Sequence, residues 1–172
     1  VGFVLGVLTA IAMAGCNSGA PPGPASATSS ARVALKITGG QVAFPTVGGY
    51  GAVFRYSPND LSATTMVDLA TSSAPMLTVP GGAQPPGVQL AAFRFTLGTR
   101  ITFEHWYRLP TIVSIPAPAG GRSFAIYGYD LTTGVGTGIN PGNAAGTTIT
   151  FSAALGPVTL LPHEYLFVLI EQ

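Results

Sequence analysis

From Arg32 to the end of the chain, no apolar residues recur at helical spacing over ten residues. They alternate with polar ones in short runs that stop at Gly, Pro, Asn or Asp. Val33, Leu35 and Ile37 alternate with Ala34 and Lys36 before Gly39-Gly40. Ala52, Phe54 and Tyr56 alternate with Val53, Arg55 and Ser57 before Pro58-Asn59-Asp60. The same texture predicts strands over 64–69, 76–79, 88–97, 101–107, 111–115, 123–131, 147–152, 158–160 and 165–171, with Gly98-Thr99 read as a hairpin turn. About ten short strands and no helix predict an all-β domain, a single antiparallel β-sandwich of immunoglobulin-like or jelly-roll-like type. Tyr165-Leu166-Phe167-Val168-Leu169-Ile170 is apolar on both faces, so the last strand is expected in the middle of a sheet. The Gly-rich stretch 134–146 has neither alternation nor a following helix and reads as a surface loop.

Charge is scarce. Seven cations and six carboxylates make up 8% of 172 residues, against about 25% in ordinary globular chains. They form no block of one sign, so neither a nucleic-acid stripe nor a patch for anionic lipid is expected. The single cysteine excludes an internal disulfide, and the domain must rest on its core.

That cysteine ends an uncharged apolar segment, VGFVLGVLTAIAMAGC, residues 1–16. Fifteen apolar residues span about 22 Å as a helix, short of the roughly 30 Å hydrocarbon layer, which suits a signal peptide better than a transmembrane helix. Met13-Ala14-Gly15-Cys16 resembles the lipobox of bacterial lipoproteins, with Met13 where Leu is usual. The resemblance implies cleavage before Cys16, lipid attachment to it, and a location in the cell envelope, at the outer membrane if the host is Gram-negative. Residues 17–31, NSGAPPGPASATSSA, carry no charge and no aromatic residue and read as a tether. The expected organisation is a leader over 1–15, a lipidated Cys16 and tether over 16–31, and a β-domain over 32–172.

Leu161-Pro162-His163-Glu164-Tyr165 resembles the tyrosine corner of immunoglobulin-like and fibronectin-like sandwiches. By that resemblance the Tyr165 phenol bonds back to upstream backbone. The segment from Thr147 to Ile170 also resembles the closing strands of bacterial surface sandwiches to which no activity attaches.

Chemistry-bearing residues are few. Glu104-His105 and His163-Glu164 would have to converge to bind a metal, and neighbours on a strand point to opposite faces. Nucleophile elbow, zincin and P-loop motifs are absent from the sequence, as are acid-rich calcium loops. No cofactor, metal or catalytic residue is expected. The remaining binding features are aromatic: Trp106 and Tyr107 beside Arg108, and Tyr127 with Tyr129 on one strand face opposite Phe124 and Ile126. Aromatic faces beside Arg can stack a sugar or a peptide side chain, and aromatic residues on strands more commonly pack. The expectation is a noncatalytic envelope module, structural or ligand-binding. The alternative is a carbohydrate- or peptide-binding accessory protein using an aromatic patch around Trp106, and the partners expected besides the membrane are an envelope protein or a glycan.

Overall fold

The computed structural model describes residues 27–73, 86–103, 107–108, 110–151, 154–155 and 158–172, and contains no helix among them. The strands are β1 (Thr28–Leu35), β2 (Gly40–Ala43), β3 (Gly51–Tyr56), β4 (Thr65–Ser73), β5 (Val88–Leu97), β6 (Ile101–Phe103), β7 (Tyr107–Arg108) and β8 (Thr111–Ser114). They continue with β9 (Phe124–Asp130), β10 (Val135–Ala145), β11 (Thr148–Phe151), β12 (Ala154–Leu155), β13 (Val158–Leu160) and β14 (Glu164–Glu171). Twelve of them pair antiparallel in the ladder β1-β4-β5-β14-β9-β10-β11-β8-β3-β7-β12, with β2 also paired to β3, and β6 and β13 form a separate two-stranded sheet.

The all-β expectation therefore holds, with a different closure. The strands of the ladder form one large sheet nearly closed into a barrel, not two separate layers. The reason lies in β10. Its first part, as far as Pro141, pairs with β9, and its last part, from Gly142, pairs with β11. One strand thus belongs to both halves of the sheet and carries the ladder round the corner, a turn that bulged or bent strands make. A register shift lies between Gly136 and Gly138. At the bend, a Cβ on Gly142 would stand 2.6 Å from Ile149 and 2.8 Å from the Phe151 ring. The stretch 134–146, expected as a loop, is this corner strand: its glycines admit the close approach that the bend needs.

The inner face of the wrapped sheet forms the main core. Phe93 and Phe95 of β5 meet Phe44 and Phe54 from the far side of the ladder, with ring centroids 5.6 and 5.2 Å apart respectively. Leu69, Ile112, Phe124, Ile126, Ile149 and Leu169 fill the space between. β14 runs between β5 and β9, the central place its two apolar faces require. Phe167 and Leu169 enter the main core, while Leu166, Val168 and Ile170 form a second buried cluster with Ala92 and Tyr129 on the outer face.

Two boundaries differ from expectation. β1 starts at Thr28, inside the stretch read as tether, because residues 28–31 continue the ladder to β4. There Thr28 faces Ser72, their hydroxyls 3.0 Å apart. After Gly98-Thr99 the chain does not return along β5: β6 pairs with β13, from Ile101 opposite Leu160 to Phe103 opposite Val158.

Candidate functional site

A cluster of polar side chains lies where β9 ends and the corner into β14 begins. Asp130 closes β9, and its Oδ1 accepts hydrogen bonds from the backbone of Thr132 (2.9 Å) and Thr133 (3.2 Å), fixing the turn into β10. Its Oδ2 stands 2.6 Å from Nδ1 of His163, both side chains being more than four-fifths buried. Burial pushes the Asp130 carboxyl up. The hydrogen bonds from His163, Thr133 and Thr132 more than offset that, and its pKa lies below the ordinary value.

Tyr165 completes the corner. Its ring stacks on His163 at 6.2 Å, and its phenol accepts from Leu161 N–H (2.9 Å) and donates to Leu161 C=O (3.2 Å). This is the bond back to upstream backbone that the tyrosine-corner resemblance implies. Burial, opposed by the Leu161 bond, raises the Tyr165 pKa. The corner is fastened to its neighbours by backbone too: Leu97 N–H donates to His163 C=O at 3.0 Å, and Leu131 N–H to Glu164 C=O at 2.8 Å.

An aspartate on Nδ1 orients an imidazole as general-base pairs do. Among the described residues no hydroxyl or thiol bonds His163. Glu164 turns the other way, to Arg94 at 2.8 Å, so His163 and Glu164 serve separate partners. No group of three or more His, Cys, Asp or Glu side chains gathers among the described residues. The cluster is built to hold three chain segments together.

Tyr127 and Tyr129 share the outer face of β9, with ring centroids 4.4 Å apart. Tyr129 is 3% exposed and belongs to the outer cluster, with Tyr127 half-buried against it. Burial, then the charge of Tyr127 and a hydrogen bond to it, push the Tyr129 phenol up to about 12. Gly136, opposite Tyr129, leaves room for the Tyr127 ring, whose hydroxyl would stand 2.9 Å from a Cβ there. Tyr127 also faces Ile139, which is 39% exposed. The accessible part of this pair is Tyr127 and its neighbour on β10. Tyr107 enters β7, its backbone paired with Tyr56 and Leu155. Cys16, Trp106, Glu104 and His105 lie outside the described residues.

At the opposite end of the sheet a cleft of about 370 Å³ opens between residues 119–124, the β10 bend and Gln172. Its one charged lining residue, Arg122, is engaged twice over. Nε and Nη2 each donate to a Glu171 oxygen at 2.6 Å, and the guanidinium lies 5.0 Å from the centroid of the Phe124 ring. That bidentate bond, against burial, holds Glu171 below the ordinary carboxylate range.

Sequence reasoning missed the Asp130–His163 and Arg122–Glu171 contacts, whose members are 33 and 49 residues apart. The one local signal was Asp130-Leu131-Thr132-Thr133-Gly134, a turn in which an aspartate caps the backbone that follows it. No protein-family model, no curated protein and no solved structure matches the chain.

Proposed function

We propose that this chain is an exported lipoprotein, anchored in the cell envelope through lipid on Cys16, that presents a noncatalytic β-module of structural or ligand-binding role. The observation that carries the reading is one of placement. The only cysteine follows Met13-Ala14-Gly15, and β1 starts at Thr28, with eleven residues (17–27) between. That interval is uncharged and rich in Pro, Gly, Ser and Ala, a composition suited to a spacer. The noncatalytic part rests on the corner cluster, where Asp130 and Tyr165 bond backbone and His163 bonds Asp130. Expression in a bacterium with intact export, followed by mass spectrometry of the amino-terminal peptide, tests the anchor. The expected product begins at Cys16 and carries a diacylglyceryl mass. An uncut leader or a free thiol overturns it.

A second reading is glycan or peptide binding by aromatic side chains, either around Trp106 or at the half-buried Tyr127 beside the exposed Ile139. Titration with soluble glycan fragments while following tryptophan emission tests it, and an emission spectrum that no fragment changes rejects it for those fragments.

A further inference from the structure

On the reading that Cys16 carries the anchor, the strand registers fix which end of the domain the anchor leaves from. Thr28 opens β1 opposite Ser72, and Ser73 N–H donates to Ala27 C=O at 3.0 Å. β14 closes with Glu171 opposite both Val88 and Phe124, and Gln172 N–H donates to Ser123 C=O at 3.0 Å. The ends of β4 and β14 and the starts of β1, β5 and β9 therefore share one rim. The other rim holds the 57–63 turn, Gly98-Thr99 and the Asp130–His163–Tyr165 corner.

Charge is divided between the rims. Among the described side chains, Arg122 and Glu171 are the charged groups at the first rim, and they neutralise each other in the bidentate pair. Arg32 and Asp68 face each other in mid-strand, 3.9 Å apart. The rest, Lys36, Asp60, Arg100 and Asp130 among them, belong to the opposite half. The first rim also presents Val88, 63% exposed, and the half-buried Tyr50. Tyrosine, with an apolar body and a polar tip, favours the membrane–water boundary.

Length supports the same polarity. A Gly/Ser/Pro spacer over residues 17–27 has a root-mean-square reach of about 18 Å. The ten residues of β5 span about 33 Å. The spacer thus keeps the first rim nearer the bilayer than the second.

We propose that the rim bearing Thr28, Tyr50, Val88 and Ser123 lies against the phospholipid headgroups, so that the domain stands on end with its charged corner outward. The test uses the lipidated full chain in phosphatidylcholine vesicles containing a lipid with a nitroxide on its headgroup. Ser123→Cys and Ser62→Cys each place one exposed thiol, at the near and far rim respectively, for the same fluorophore. The thioether at Cys16 leaves the introduced thiol as the one that reacts. The expected result is quenching several-fold stronger at position 123 than at position 62. Equal or reversed quenching, in protein whose Cys16 lipid is verified by mass, overturns the orientation and leaves the anchor standing. A chain without lipid at Cys16 that stays off the vesicles overturns both.

Discussion

Leu166→Ala and Tyr165→Phe, side by side in β14, separate packing from hydrogen bonding in the strand on which the sheet depends. Leu166 is 1% exposed in the outer cluster, held between Arg94 of β5 and Tyr129 of β9. Truncation to alanine removes three carbons, a transfer loss of about 2.4 kcal/mol at ~0.8 kcal/mol per carbon. The walls of the resulting gap are strands paired on both sides of β14, which cannot close in. A residual cavity adds about 24 cal/mol per Å³, so the total should reach roughly 3–4 kcal/mol. Tyr165→Phe keeps the ring and removes the bonds to Leu161 N–H and C=O. Leu161 is exposed, so water can take over both groups, and the loss should stay at about 0.5–1.5 kcal/mol. Urea melts of both variants in a chain starting at Asn17 measure the two losses directly, with the slope of the transition checked for constancy. A Leu166→Ala loss equal to or below that of Tyr165→Phe would refute the reasoning, since β14 would then not be packed on its outer face.

Lowering the pH should cost stability through Asp130. Its folded pKa lies below the ordinary value near 3.8, so the stabilisation is present above that value and is lost as the pH falls through the folded pKa; Asp130→Asn should flatten this limb in urea melts taken down to about pH 2. Tyr129 works at the other extreme: its phenol, held at about 12, stabilises the fold below pH 10 and loses that contribution, at most about 3 kcal/mol, as the pH rises to 12. Tyr129→Phe should remove this alkaline loss, and a melt series that keeps it would count against the burial argument. Thr71, fully buried on β4, has a hydroxyl without a hydrogen-bond partner among the described residues, so Thr71→Val should leave thermal stability unchanged or raise it by about 1 kcal/mol. Gly142→Ala should destabilise by about 1–3 kcal/mol, because its Cβ has no room between Ile149 and Phe151; an unchanged melting temperature would show the bend to be slack.

What the sequence makes legible here is whatever depends on near neighbours along the chain. The two apolar faces of 165–170 require a strand buried on both sides, and β14 has β5 and β9 as its neighbours. Leu161-Pro162 four residues before Tyr165 places a phenol within reach of its own backbone, and the bond is there. The placing of Tyr127 and Tyr129 on one face follows from a period of two and holds, while their burial against Leu166 and Val168 depends on residues almost forty positions away. Closure of the sheet is the extreme case. It turns on residues 135–145, where glycine, asparagine and proline remove every sign of alternation that a strand ordinarily shows. Those residues make a poor strand in isolation, and β10 forms because two ladders, to β9 and to β11, supply its hydrogen bonds from outside. The features that made the segment read as a loop are the ones that let a strand bend without steric conflict, so composition alone cannot separate the two. The Asp130–His163 pair has the same origin. It joins the end of β9 to the corner before β14, two places that become adjacent because the ladder sets β9 beside β14. The polar cluster at the corner is therefore a consequence of strand order, and order is the property that short-range pattern carries least.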